Sequence, residues 1–173
     1  MNKFTFVLVA VLAAGFSFNQ AVMAQTKQTI SFTSPASASK YTKEYGMLVG
    51  DTAGHELRIF EITRTLGQDA PSINGIKMKQ MLAHNFTEYV DRNGLGLSYL
   101  TILTENGDRI EARGNYVGHL VNEKNSKNMM TLTILSGTGK FLGIQGQIQS
   151  ETSSHFEAKT VDTNYTITYW MSK

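Results

Sequence analysis

The chain has 173 residues, no cysteine, and 16 lysine and arginine residues against 14 aspartate and glutamate residues, for a formal net charge of +2. The lack of cysteine excludes disulfides, thiol catalysis and zinc–thiolate sites. The near balance of charge argues against a nucleic-acid-binding surface and against membrane binding through a basic patch.

The N-terminal segment Met1–Ala24 has the order of a secretory signal peptide. Lys3 precedes an apolar run, Phe4–Phe18, and a short polar stretch with small residues at its end follows. The run is about fifteen residues long, shorter than the roughly twenty that span a bilayer as a helix, so cleavage after Ala24 is favoured over an uncleaved anchor. The sequence therefore predicts an exported protein, periplasmic or extracellular, in which residues 25–173 form one domain outside the membrane.

Strand signals are weak at the start of this domain and then strengthen. Within residues 25–43 only Ile30 and Phe32 alternate as in a strand, so we expect a first strand followed by a loop. Leu57–Thr65 is rich in β-branched and aromatic residues and predicts a second strand. Gly75–Asp91 begins with helix formers and ends with strand formers, and we interpret it as one long strand, with or without a helical turn at its start.

The dipeptide Asn106-Gly107 lies between two strand-like runs and is the strongest hairpin signal in the chain. It predicts that residues 97–104 pair antiparallel with residues 108–117. Further strands are expected at residues 129–136, 141–150 and 165–171. About eight short strands with almost no helical periodicity indicate an all-β fold, either a sandwich or a closed antiparallel barrel.

The second strand of this hairpin has two distinct faces. Arg109, Glu111 and Arg113 alternate with Ile110 and Ala112. Charged side chains are rarely buried, so we expect the small apolar face inside and the charged face in solvent.

A glycine-rich segment, residues 136–146, contains Gly-Lys but matches no nucleotide-binding motif. Phenylalanine follows the lysine where a phosphate loop has serine or threonine, and a strand rather than a helix is expected next. We interpret the segment as a tight turn at Gly137 and Gly139. Gly143 and Gly146 would then allow the next strand to bend or to pack closely on another backbone.

This glycine pattern resembles that of the allene oxide cyclase-like barrels, a family that includes the plant dirigent proteins. The matching residues are the turn Gly137–Phe141 with Gly143 and Gly146, supported by the hairpin at Glu105–Asp108, and the resemblance covers residues 95–149. It implies a closed, eight-stranded antiparallel barrel, often trimeric, around an apolar cavity. It also implies a function like that of the plant members, which steer reactive small molecules through cyclisation or coupling by confining them.

Strand alternation suggests which polar side chains could enter such a cavity. In residues 82–90, His84 and Glu88 share a face with three apolar residues, and in residues 57–65 Glu61 shares a face with Leu57 and Ile59. A desolvated carboxylate can act as a general base and a histidine as a base or hydrogen-bond donor, so these three are the candidate catalytic residues. The alternative is that they lie in solvent, in surface pairs with basic side chains.

Aromatic side chains are the candidate ligand contacts. Tyr99, Tyr116 and Phe141 could line a pocket, although aromatic residues at strand period also form ordinary cores. The four histidines show no metal-binding spacing, so no metal site is predicted.

Two functions remain open from the sequence. In the first, the exported barrel binds a small hydrophobic molecule and steers its cyclisation or isomerisation without a cofactor, as a homotrimer. In the second, a barrel filled with side chains serves as a non-catalytic carrier or protein-interaction module.

Overall fold

β-Strands form nearly all the regular structure of the computed structural model, which describes residues 26–155, 157 and 160–172. The predicted signal peptide lies outside the described residues. The strands are β1 (Gln28–Ser34), β2 (Ser39–Leu48), β3 (His55–Thr65), β4 (Ser72–Ile73), β5 (Ile76–Val90), β6 (Asn93–Thr104), β7 (Arg109–Asn122), β8 (Asn125–Gly137), β9 (Ile144–His155) and β10 (Thr160–Met171). Two 3-10 turns lie at Ala36–Ala38 and Gly139–Phe141.

The strands form one antiparallel sheet in the order β1-β10-β9-β8-β7-β6-β5-β3-β2, with β4 paired to β5. The predicted all-β antiparallel fold is confirmed, with ten strands where about eight were expected. One additional strand is β2, whose first residues were expected to be loop. It is exposed along nearly its whole length and lacks the regular alternation that marks a half-buried strand. Among the described residues no ladder joins the edge strands β1 and β2, so closure of the barrel is not confirmed.

The sheet curls strongly around a common interior. In β3, Arg64 Nη2 lies 3.3 Å from Oγ1 of Thr163 in β10, although five strands separate the two in the sheet. Phe60 of β3 likewise packs against Tyr116 of β7, with ring centroids 6.2 Å apart. The inward side chains of all these strands therefore share one enclosed space.

One end of this interior is densely packed. Its fully buried side chains are Ile73, Met78, Met81, Leu100, Ile102, Ile110, Leu132, Phe141, Ile148, Tyr165, Ile167 and Tyr169. Burying each large apolar side chain contributes roughly 1.5–3 kcal/mol, so this end holds the curled sheet together. In β7 the predicted faces are confirmed, because Ile110 and Ala112 are buried and the charged residues between them are exposed.

The predicted long strand and hairpin are both present. Residues 76–90 form β5 without a helical turn, and β6 pairs antiparallel with β7 as predicted, with Leu97 opposite Asn115. The Asn106-Gly107 loop is longer than a two-residue turn, because the four residues Glu105–Asp108 separate β6 from β7, and its glycine has a φ of 86°. A tight two-residue turn occurs instead at Asn74-Gly75, where φ is 49° and 78°.

The glycine-rich segment makes the close approach that was expected. Gly146 has a φ of 150°, and a Cβ there would lie 2.1 Å from the carbonyl oxygen of Thr168 in the neighbouring strand. Gly139, with a φ of 51°, begins the 3-10 turn that buries Phe141. The strand after this turn begins at Ile144, three residues later than predicted. No helix in the described part of the chain is long and apolar enough to cross a membrane.

Candidate functional site

A large cavity opens at the end of the curled sheet opposite the packed end. Its volume is about 1080 Å³, slightly above the usual range for small-molecule sites. Seven strands contribute to its wall, and among the lining residues are Tyr41, Glu44, Glu56, Arg58, Phe60, Tyr89, Tyr116, Ser126, Asn128, Ser154 and Val161. The interior is therefore filled at one end and hollow at the other.

Four aromatic side chains form the most continuous part of the wall. Tyr41 packs on Phe60 with ring centroids 5.8 Å apart, and Phe60 meets Tyr116 nearly edge to face. Tyr89 meets Tyr116 in the same geometry and donates a hydrogen bond from its hydroxyl to the Tyr116 hydroxyl, at 2.9 Å. Edge-to-face contacts of this kind fix ring positions, so the wall presents a rigid apolar surface.

The phenols of this wall are neutral at neutral pH. Desolvation raises the pKa of Tyr116 well above its ordinary value, and it raises the pKa of Tyr89 and Tyr41 as well. Tyr116 accepts the hydrogen bond from Tyr89, so its own proton can be donated to a ligand. The wall can therefore offer a neutral hydrogen-bond donor but no phenolate at neutral pH.

A charged cluster borders the aromatic wall near the mouth. Arg58 pairs with Glu44 of β2, and its Nε lies 3.7 Å from Oε1 of Glu56. The guanidinium carbon lies 5.6 Å from the centre of the Phe60 ring. These pairs hold β2 against β3 and leave both carboxylates already partnered by a cation.

The hairpin loop between β5 and β6 forms another part of the mouth under backbone strain. Asp91 and Arg92 both line the cavity and have φ angles of 50° and 64°. A two-residue turn that matches the sheet twist requires positive φ at both positions, which normally favours Asn-Gly or Asp-Gly. A residue other than glycine held in this region costs roughly 1–3 kcal/mol, and such strain is typical of functional sites.

A small inner chamber lies beyond the aromatic wall. It has a volume of about 20 Å³ and is lined by Arg64, Asn85, Met130 and Thr152, together with wall residues such as Tyr41 and Phe60 that also line the large cavity. Arg64 is only 2% exposed. A cation thus lies at the inner end of the site, beyond the aromatic wall.

The three candidate catalytic residues do not line this cavity. In β5 the buried, inward residues are Ala83, Asn85, Thr87 and Tyr89, which places His84 and Glu88 on the outer face, so the predicted inward orientation is wrong. Glu61 also lies on the outer face of β3, between the inward side chains of Phe60 and Ile62, although it is only 9% exposed there. The reason is that the outer face of these strands also carries large apolar residues, so in the sequence it resembles an interior face.

These outward residues form surface pairs instead. Nε2 of His84 lies 2.8 Å from Glu61, whose carboxylate also accepts hydrogen bonds from Thr42 and Lys43. The Thr42 hydroxyl is the main cause, and the Lys43 ammonium a further one, of the lowered pKa of Glu61. A carboxylate held ionised by such partners is a weak proton acceptor.

Glu88 belongs to a second surface pair, at the mouth end of β5. Its carboxylate lies 3.0 Å from Nε2 of His55, and Asp51 lies 2.6 Å from Nδ1 of the same ring. Hydrogen bonds to Asp51 first and to Glu88 second raise the pKa of His55.

Of the three candidate ligand contacts, the structure places one in the cavity. Tyr116 lines both the cavity and the inner chamber. Tyr99 is 45% exposed on the outer face, where the Arg113 guanidinium carbon lies 5.1 Å from its ring centre. Phe141 is fully buried in the packed end, far from the mouth.

Sequence reasoning missed most of the site, above all Tyr41, Phe60, Arg64 and Tyr89. Phe60 and Arg64 alternate with Glu61 and Thr63 in β3, so choosing the opposite face of that one strand would have found two of them. Tyr41 lies within residues 25–43, where a loop was expected after the first strand, so it was not considered as a cavity residue. Within the described residues, no group of three or more histidine, aspartate or glutamate side chains is placed to hold a metal ion.

Comparison with known proteins relates this architecture to solved structures. No protein-family model and no curated protein sequence matches the chain. The structure of the pterocarpan synthase dirigent protein PsPTS1 is similar with a TM-score of 0.50 and 14% identity, over 86% of this chain and 97% of that one. The pterocarpan synthase dirigent protein GePTS1 is similar with a TM-score of 0.50 and 13% identity, over 99% and 100%. The chain therefore has a dirigent-like fold, as the resemblance of its glycine pattern implied.

Proposed function

We propose that this protein binds a small, largely apolar molecule, with flat or aromatic surface, in the cavity at the open end of its sheet. The observation that carries the proposal is the rigid wall of Tyr41, Phe60, Tyr89 and Tyr116 around a space of about 1080 Å³. A ligand in this space would gain packing contacts with the four rings of the wall. A filled barrel used only as an interaction module is disfavoured by the same space.

The proposal includes closure of the sheet into a barrel. The edge strands β1 and β2 are consecutive in the chain and joined by the short 3-10 turn Ala36–Ala38. Asp162 of β10 accepts a hydrogen bond from the backbone N–H of Ala36 at 2.9 Å, which holds this connection against the sheet. Such a connection keeps the two edges together without a ladder between them and shields the interior from solvent.

We further propose that the site steers its ligand through a cyclisation or isomerisation without a cofactor. Support comes from the dirigent-like fold, since PsPTS1 and GePTS1 are both named pterocarpan synthase dirigent proteins, and from the neutral Tyr116 hydroxyl inside the wall. A rigid wall that confines one conformer lowers the entropic part of the barrier to ring closure. The competing candidate is a non-catalytic carrier, which is favoured by the pairing of Glu44 and Glu56 with Arg58 because it leaves neither carboxylate as a free base.

Binding can be tested with the uncharged fluorescent probe N-phenyl-1-naphthylamine. Ser154 lines the cavity, whereas its neighbour Ser153 points to the outer face of β9. Ser154→Phe should fill part of the space and weaken probe binding at least about tenfold, and the matched variant Ser153→Phe should leave it unchanged. No binding to the wild type, or equal effects of the two variants, would contradict the proposal.

The natural ligand can be sought by native mass spectrometry of protein purified from its own producing cells, followed by extraction. A co-purifying apolar molecule near one per chain is expected. Its conversion to a cyclised or isomerised product by the purified protein would support steering, while unchanged recovery after prolonged incubation would favour the carrier.

A homotrimer is proposed from the outer face of the sheet. The exposed large apolar residues there include Ile59, Phe86, Leu95, Tyr99, Val117 and Met129. The strand register places Ile59 beside Phe86, and Leu95 beside Val117, so these residues form continuous rows across neighbouring strands. Contiguous exposed apolar surface of this kind marks an interaction site, and we propose that further copies of this chain cover it.

Export is the remaining proposal, and it rests on the signal-like segment Met1–Ala24. Expression of the full chain in bacteria should yield a shortened protein in the periplasm or medium. N-terminal sequencing should begin at Gln25, and a protein that keeps Met1 or stays in the cytoplasm would contradict the proposal.

A further inference from the structure

Arg64 is a buried cation without a counter-charge. It is 2% exposed, and no aspartate or glutamate of the described residues forms an ion pair with it. Its Nη2 donates one hydrogen bond to Oγ1 of Thr163 at 3.3 Å, while Nε and Nη1 have no hydrogen-bond partner. Arginine cannot lose its proton in a protein, so burial leaves a full positive charge in place.

The protein's own residues compensate this charge poorly. The ring of Tyr165 lies 5.7 Å from the guanidinium carbon and provides a cation–π contact. That contact and one hydrogen bond to a neutral hydroxyl do not replace the hydration that a buried ion loses. A negatively charged group of a ligand would compensate the charge of Arg64.

The position of Arg64 indicates where that group would come from. The inner chamber and the large cavity both border the side chains of Tyr41, Phe60 and Tyr116, so the two spaces are adjacent and Arg64 lies on the inner side of the aromatic wall. With a volume of about 20 Å³, the chamber has room for roughly one group of the size of a water molecule. The chamber therefore has room for one oxygen of a carboxylate but not for a phosphate group with four oxygens.

A second unpartnered group lies in the same chamber. Oδ1 of Asn85, which is 3% exposed, has no hydrogen-bond partner. Rotation of the amide about its terminal torsion presents its NH₂ group instead, which can donate to an anion. Two polar side chains with unused hydrogen-bonding capacity thus line the same chamber at the inner end of the site.

We propose that the ligand of this cavity is a monocarboxylic acid with an apolar or aromatic body, and that Arg64 binds its carboxylate. The proposal rests on the proposed ligand-binding function and specifies its ligand class. The apolar body lies against the aromatic wall, while the carboxylate forms charge-assisted hydrogen bonds with Nε or Nη1 of Arg64 in the inner chamber.

The test compares 2-naphthylacetate with 2-naphthylacetamide, two probes of the same shape that differ in charge. Isothermal titration calorimetry at pH 7 should show that the wild-type protein binds the carboxylate roughly ten- to a hundredfold more tightly. Arg64→Met should reduce this ratio to about one while it still binds the amide. Arg64→Lys should retain part of the preference, and the exposed Arg109→Met should retain all of it.

The other outcomes separate the two levels of the proposal. Equal binding of both probes to the wild type would overturn the carboxylate site and leave the apolar cavity as a binding site. Binding of neither probe would overturn both. Titrations with and without chloride test whether Arg64 binds a free inorganic anion instead. Chloride binding that depends on Arg64, together with equal binding of the two probes in chloride-free buffer, would also overturn the proposal. If Arg64→Met does not fold, the affinity ratio of the two probes in the wild type and in Arg64→Lys still tests the carboxylate site.

Discussion

Replacement of Arg64 by methionine should stabilise the ligand-free protein. The side chain is 2% exposed and leaves Nε and Nη1 without partners. Methionine is unbranched and of comparable length, so it can occupy the same space beside Tyr165 without a charge or an unsatisfied donor. A change that weakens ligand binding would therefore increase stability.

The magnitude follows from the contacts of the guanidinium. Each buried donor left without a partner costs about 1–3 kcal/mol, and Arg64 has two such nitrogens. Against this gain, the variant loses one hydrogen bond to Thr163, worth about 1 kcal/mol, and a cation–π contact worth up to about 2 kcal/mol. Thr163 keeps its 3.0 Å hydrogen bond with Thr152. We expect the free energy of unfolding to rise by about 1–2 kcal/mol, within the range measured when buried charges are replaced by apolar groups.

Equilibrium unfolding in urea measures this difference, on protein shown to be ligand-free by native mass spectrometry. Ligand must be absent because a bound molecule stabilises the wild type by mass action. Arg109→Met, at an exposed position in β7, is the matched control and should change the unfolding free energy by less than about 0.5 kcal/mol. A loss of more than about 1 kcal/mol in Arg64→Met at an unchanged m-value would refute the reasoning and show that the charge is compensated within the protein.

Three further predictions concern the backbone, pH dependence and assembly. Gly146→Ala places a Cβ 2.1 Å from the carbonyl oxygen of Thr168 at a φ of 150°. It should therefore lower the free energy of unfolding, measured by urea titration, by about 2–3 kcal/mol. An unchanged free energy of unfolding would contradict the close approach of the two strands. The raised pKa of His55 means that its protonated ring stabilises the fold below about pH 6.5 and that this contribution is lost as pH rises through the raised value. The thermal unfolding temperature of His55→Gln should therefore differ most from that of the wild type near pH 6 and least near pH 9. NMR titration should show that the pKa of the His55 ring is lower in Asp51→Asn than in the wild type. The same difference in unfolding temperature at both pH values would count against this pairing. Leu95→Glu on the exposed apolar face should convert a trimer to monomers in size-exclusion chromatography with light scattering, and a wild type that is already monomeric would contradict the proposed assembly.

The sequence predicted the fold class well because local patterns in the later strands are strong. On β7, charged and small apolar residues alternate without exception from Arg109 to Arg113, and the structure buries the expected face. The Asn106-Gly107 hairpin and the close backbone approach at Gly146 also depend on local conformation, so both could be read from single residues.

The candidate site could not be predicted in the same way because the two faces of β5 are similar in polarity. Its outer face carries Phe86 beside His84, while its inner face carries Asn85, and an interior that is partly a polar-lined cavity removes the usual contrast between inside and outside. A pattern of period 2 identifies two faces but not which of them is turned inward.

The antiparallel all-β fold and the clearest turns follow from the amino-acid sequence alone, because these features depend on neighbouring residues. Which strand faces meet in the interior becomes clear only from the folded chain. Curling of the sheet brings Arg64 of β3 to Thr163 of β10 and leaves its charge unpaired beside an aromatic wall. Contacts between residues so far apart in the chain arise from twist and register summed over many strands, and no local pattern encodes that sum.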